Sequence, residues 1–269
     1  IDTIEAKVED GATVTAGGPV TVTASDASTI YALNGAVAIS TGGSGFGAAI
    51  GANYIDNSVT ASIDTATVTS TSGDVSANAT ESGDIEALSV GLAGADQNAA
   101  GGSISIAVIT DTVVASIAGA ATVTAAGSVR VKGKNDATVG AVSGQVAIGG
   151  NTGFGASVTT AVLVNSNSAF ISGTADVSGT QGVDVDANTD QNLTVFAIGG
   201  AVGGDNGIAG SATVTVVDDT TLSYIDTPGA SRPSSAGVSA GTGSGTTGDV
   251  QITAENTFNL LGTAGALTF

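Results

Sequence analysis

The chain has 269 residues, enough for a sizeable core, yet it is only 3% aromatic and has no Trp, Met, Cys or His, so a core here is built from Val, Ile, Leu and Ala. Its 24 acidic side chains against 5 basic ones give a formal net charge of -19, which speaks against binding nucleic acid or anionic lipid, because so few cations cannot replace a phosphate counterion atmosphere. The lack of His and Cys removes Ser-His-Asp and Cys-His chemistry, and a 42% hydrophobic content with 3 Pro argues for a folded chain over an acidic tail or a Pro-rich linker.

Laid out in rows of 54, the sequence aligns with itself. The rows 2–55, 56–109, 110–163, 164–217 and 218–269 open at Asp2, Asp56, Thr110, Val164 and Asp218 and form a single repeat array. Ile55, Ile109, Leu163 and Val217 close successive rows, and Ile63, Ile117, Ile171 and Ile225 follow at the same spacing. Within a row the predicted strands run in order. A first one spans Val59 to Ile63 and a second Ala66 to Thr69, and a third is marked by Val20, Val75, Val129 and Val183. Two longer segments follow, as from Tyr31 to Ser40 and from Gly47 to Ile55, joined by a Gly-Gly turn that recurs at Gly42-Gly43, Gly149-Gly150 and Gly203-Gly204.

Val and Ile alternating with Thr and Ser is the period of a half-buried strand, and no helical period is sustained. The fold class is all-β, a parallel β-solenoid without significant helix. In the two longer segments Gly and Ala occupy both alternation phases, as in Ala36 to Ser40. That pattern predicts interior strands covered on both sides, or a lateral packing face. Row five holds 13 extra residues between Ile225 and Val250, including Pro228, Arg232 and Pro233. These predict a loop extruded over 228–247, read as a tolerated insertion with a recognition element as the alternative.

In a parallel solenoid an alignment column becomes a physical ladder. Thr3, Asn57, Asp111, Asn165 and Asp219 make one column, whose last four members alternate amide and carboxylate, an order that allows hydrogen bonds and separates like charges. In a second, Arg130, Lys132 and Lys134 precede Asp184, Asp186 and Asn188 by 54 residues. That pairing favours one broad coil per repeat over two coils of about 27 residues, which would put an intervening strand between the partners.

Asp184, Asp186, Asn188 and Asp190 have the oxygen ligands of a calcium loop, but on an alternating strand they point outwards in file. The preferred reading is a solvated acidic face opposite the basic row, so no cofactor is expected and calcium is the alternative. Paired carboxylates suffice for some sugar chemistry, but such sites need aromatic platforms, and the expectation is that the chain is not an enzyme. Stacked Thr13, Thr15, Thr67, Thr69, Thr122 and Thr124 could form an ice-binding array, but the series fails at Asp176 and Ser178, and outward Thr is a good strand residue.

Residues 121–131, Ala-Thr-Val-Thr-Ala-Ala-Gly-Ser-Val-Arg-Val, lead into a Gly/Ala-rich stretch and then an Asx-x-x-Val-x-Ala-x-Ile start, as at Asp56 to Ile63. Together these resemble repeats of giant bacterial filamentous adhesins, of the leukotoxin and filamentous haemagglutinin-like types. The resemblance spans essentially the whole chain and matches no defined site. It implies a structural shaft segment, extracellular or on the bacterial cell surface, working in attachment, aggregation or biofilm contacts. A self-assembling fibre or sheath subunit is the alternative. The expected partners are neighbouring repeats of the same polypeptide and, in the fibre reading, other copies; no nucleic acid and no membrane insertion are expected. No signal peptide or transmembrane helix is read in these residues, so an exported chain would carry its signal elsewhere.

Overall fold

Alternation of Val and Ile with Thr, Ser and Asp gives each strand one apolar face, and the chain buries that face by coiling. The computed structural model describes residues 1–226, 236–241 and 248–269. Every strand pairing in it is parallel and joins a strand to its counterpart one row away. One coil takes one 54-residue row and three strands, so Ile55 pairs with Ile109 and Val129 with Val183. The architecture is a parallel β-solenoid.

One coil comprises the strands Ser44–Asp64, which crosses from the first row into the second, Thr67–Ser70 and Val75–Ala95. Their equivalents stack into a front sheet, a narrow sheet and a back sheet of five, five and six described strands. The front and back strands are long because the predicted short segments fuse. The stretch from Gly47 to Ile55 runs straight into the strand expected at Val59 to Ile63, and Val75 continues through the next segment to Ala95. Nothing at Asp56-Asn57 breaks the backbone; only the polarity of the two faces changes there. A strand of this length reaches roughly 70 Å at about 3.3 Å per residue, while each row adds only about 4.8 Å along the stack. The molecule is therefore broad across the coil.

Three regions follow one another across that breadth. Nearest the narrow sheet, ladders such as Ile63–Ile117–Ile171 and Val68–Val123–Val177 meet Val75, Val129 and Val183 in a core with three walls. Beyond it Ile55, Ile109 and Leu163 of the front sheet pack on Ile85, Val139 and Leu193 of the back sheet. Farthest out lies a thin blade of two sheets whose facing side chains are mostly Gly, Ala and Ser, with Gln145 and Thr159 the larger buried exceptions and a small cluster of Ala93, Ala99 and Ala147 near the tip turns. There the backbones nearly touch: a Cβ on Gly91 would lie 2.4 Å from the carbonyl oxygen of Gly102, and one on Gly199 2.6 Å from that of Gly210.

Of the two alternatives for these segments, interior strands or a lateral packing face, the blade excludes the first. Inward positions alternate with outward ones along Val75–Ala95, and the outward ones remain uncovered, with Leu88 39% and Val90 41% exposed. Both phases are apolar because the inward set is selected for smallness, and the outward set alone carries bulk.

Two further expectations shift. Asp2, not Thr3, pairs with Asn57, because the first front strand is offset by 55 residues from the next. Between the register pairs Val8–Ile63 and Thr13–Thr67 the turn at Glu9 to Ala12 holds one residue more than its counterpart at Asp64 to Ala66, and a one-residue slip turns Thr3 to the outer face. In row five, Gly237–Ala240 lies inside the segment expected as a loop over 228–247, yet it forms the last strand of the narrow sheet, with Gly237 opposite Asp176. The row offset grows from 54 at Ile171 and Ile225 to 61 at Asp176 and Gly237 and 67 at Gly182 and Asp249. The insertion is thus two insertions flanking a conserved-geometry strand. Pro228, Arg232 and Pro233 lie outside the described residues.

Candidate functional site

Charged and Asx side chains gather chiefly in two places, an outward charged face on the back sheet and a buried belt between the two apolar cores, while buried Ser143, Gln145 and Thr159 lie apart from both inside the blade. On the outward face Arg130, Lys132 and Lys134 stand in register with Asp184, Asp186 and Asn188. Their side chains choose other partners in two of three cases. Lys132 Nζ bridges Asp184 Oδ2 at 3.3 Å and Asp186 Oδ2 at 3.7 Å. Arg130 instead reaches back to Asp74 in the preceding row, and Lys134 pairs with Asp136 on its own strand. Asp74 also accepts a hydrogen bond from the Ser128 amide at 2.8 Å, and that bond first, then Arg130, holds its carboxyl below the ordinary value. All these groups are substantially exposed, so each pair contributes at most about 1 kcal/mol.

Asp184, Asp186, Asn188 and Asp190 occupy alternate outward positions of Gly182–Gly203, which spaces neighbours by roughly 7 Å along the strand. Lys132 takes the first two, Asn188 donates to Glu255 Oε2 at 3.5 Å, and Asp190 accepts from Asn192 at 3.5 Å. The four do not converge on one point. Among the described residues no group of three or more His, Cys, Asp or Glu is arranged to hold a metal ion.

The column of Asn57, Asp111, Asn165 and Asp219 runs through the interior of the front sheet, each residue in register with the next. The first three are nearly fully buried. The back sheet faces them with Glu81, Asn135 and Thr189, themselves register partners and all buried. Asn57 Nδ2 ties the belt together in the upper rows, donating to Asp26 Oδ2 at 2.7 Å, Ser28 Oγ at 3.1 Å and Glu81 Oε1 at 3.2 Å. Lower down, Asn167 Nδ2 donates to the carbonyls of Gly133 at 3.1 Å and Asn188 at 2.7 Å and to Thr189 Oγ1 at 3.2 Å.

Glu81 and Asp111 meet across the gap left by Gly83, where an added Cβ would lie 3.4 Å from Glu81 Oε1 and 3.3 Å from Asp111 Oδ2. Burial first, and then the Asp111 charge, push the Glu81 carboxyl up to about 9. Burial raises Asp111 as well. Every ion pair found among the described residues is on the outer surface, so no cation offsets this pair, and burial favours the protonated form of both carboxyls. Asp219, near the other end of the belt, is raised by burial in the same way.

Reading the sequence by columns found the front half of this belt and missed the back half. Glu81 has the phase of Val75, Ala77 and Ala79, all inward; counting by two from Val75 places its carboxyl inside. Sequence could not show that it would face Asp111, because that contact joins two sheets.

No family model matches the chain, and neither a curated protein nor a solved structure is significantly similar to it. What the fold defines is a class: a parallel β-solenoid repeat protein with three sheets per coil.

Proposed function

We propose that this chain is a structural repeat segment of a secreted or surface-exposed bacterial filamentous adhesin, working in attachment, aggregation or biofilm contacts. The observation that carries the reading is sustained parallel stacking: strand follows strand from row to row, the offsets in rows one and five being absorbed in the turns, and side-chain ladders run along the stack. Repetition of that kind builds length and surface, with each row contacting only its neighbours. The adhesin-like repeat residues at 121–131 and the strongly acidic, cysteine-free composition fit an exported shaft.

Antiserum against the purified chain, applied to intact cells of the source organism, tests the location, and a deletion strain tests the role. Surface labelling together with loss of attachment or aggregation in the deletion strain is expected. Labelling only after lysis, or unchanged attachment in the deletion strain, would overturn the reading.

A further inference from the structure

The blade is apolar on the outside. On the back sheet Leu33, Leu88, Val142 and Phe196 are successive register partners and form a continuous outward ridge. On the front sheet Ala48, Gly102, Ala156 and Gly210 are likewise partners and form an outward trough. Phe46 and Phe154 wall that trough on its tip side, and between them Ala100 leaves a depression of about 410 Å³. In the interior rows, where neighbours above and below already give cover, Phe154 is still 48% and Val146 43% exposed.

The outward glycines are the second observation. A Cβ on Gly35, Gly94, Gly144 or Gly210 would meet nothing within 4 Å, and none of these four has a positive φ. No contact within the chain requires glycine there, and glycine in a strand costs up to about 1 kcal/mol relative to a residue with a side chain. Outward glycines between outward Val, Ile and Leu make sockets, which favour a solid partner of complementary shape; a fluid hydrocarbon has no use for them.

We infer that the blade is a lateral assembly surface for a second copy of this chain, the back-sheet ridge of one molecule lying in the front-sheet trough of the next. A partner that interdigitates with a ladder must share its rise of about 4.8 Å per row, and another copy does so through every row. About ten residues by four rows give each face roughly 600 Å², so a docked pair buries about 1,200 Å² or more, within the range of stable interfaces. The carboxylates and cations lie mainly on the other half of the coil, so the acidic halves repel only at a distance and added salt strengthens the contact. Because ridge and trough are different surfaces, the contact is heterologous and extends into stacks instead of closing as a dimer. The inference goes beyond the adhesin reading and stands without it.

Sedimentation velocity of the purified chain at low and high sodium chloride is the test, with two outward double variants checked for intact strand signal by circular dichroism. Leu88→Lys with Val142→Lys breaks the ridge; Gly102→Leu with Gly210→Leu fills the trough, and Ala156→Leu replaces the latter pair if it misfolds. The wild-type chain is expected to form concentration-dependent stacks that grow with salt. Each variant alone should be monomeric, and their equimolar mixture should form dimers and nothing larger, since one intact ridge meets one intact trough. A wild-type monomer at all concentrations and salts, or a variant that stacks like wild type, overturns the inference. So does a chain that stays monomeric in buffer but partitions into phosphatidylcholine vesicles, which would make lipid the occupant.

Discussion

Glu81 shows how one buried proton links this fold to pH. Its carboxyl is fully buried, and burial and Asp111 raise it from 4.5 to about 9. The folded chain therefore binds more protons than the unfolded chain between those two values. The pair's contribution to stability is complete below about 4.5 and declines as pH rises towards about 9. Thermal unfolding followed at pH 5 and pH 9 should give a lower midpoint at pH 9, and Glu81→Gln, which keeps a hydrogen-bonding group without the charge, should flatten the difference. A slope unchanged in the variant would assign the pH dependence to the overall acidic charge. Asn167 acts through hydrogen bonds alone: Asn167→Ala strands buried acceptors on the facing sheet, and denaturant unfolding should show a loss of about 1–3 kcal/mol. The amide and carboxylate column at Asn57 and Asp111 was legible at this scale because identical spacing brings equivalent residues together. The salt-bridge partner of Arg130 was not, since a long flexible side chain at the surface reaches either neighbouring row at similar cost.

The long strands carry a second lesson about small residues. An alanine at Gly91 would place its Cβ 2.4 Å from the Gly102 carbonyl oxygen, closer than packed atoms tolerate, so the two sheets of the blade would have to part. Gly91→Ala should cost about 1–3 kcal/mol, whereas Gly94→Ala, whose Cβ meets nothing within 4 Å, should be neutral or slightly stabilising. Chemical denaturation of the two variants side by side checks that contrast; equal effects would mean that the close approach is not what the glycines serve. Strand type and stacking were readable from the alternation of Val with Thr, but strand length was not. The short predicted segments ended where the inward face switched from Val and Ile to Asn and Glu, as at Asn57 and Glu81, and a polarity switch looks like a boundary although the backbone runs straight through it.

For the whole molecule the row is the unit that can be added or removed. Deleting residues 110–163 brings Val164 after Ile109 and lets Ile171 stack on Ile63, so the shortened chain should keep its strand signal and its protease resistance. Removing only the first half of that row, residues 110–136, takes away its narrow-sheet strand and should leave a chain that unfolds and is digested. If both deletions behaved alike, the 54-residue coil would not be the cooperative unit. Each row adds about 4.8 Å of length for a strand some 70 Å across, so most of the chain goes into breadth. Breadth with few charged groups in the blade is surface for flat contacts, which is why the apolar faces there bear on assembly more than on length.

By itself the sequence determined the strand type, the parallel stacking and the 54-residue pitch, because alternation is local and a repeat need only be compared with itself. The tertiary structure alone decided that the coil closes around three sheets, that Glu81 meets Asp111 inside it, and that the Gly/Ala segments form a thin blade with its bulk outward. Those outcomes depend on how closely two sheets approach. That distance is set by the combined size of side chains from segments tens of residues apart, and where both alternation phases are apolar, only the packed sheets show which set is small enough to face inward.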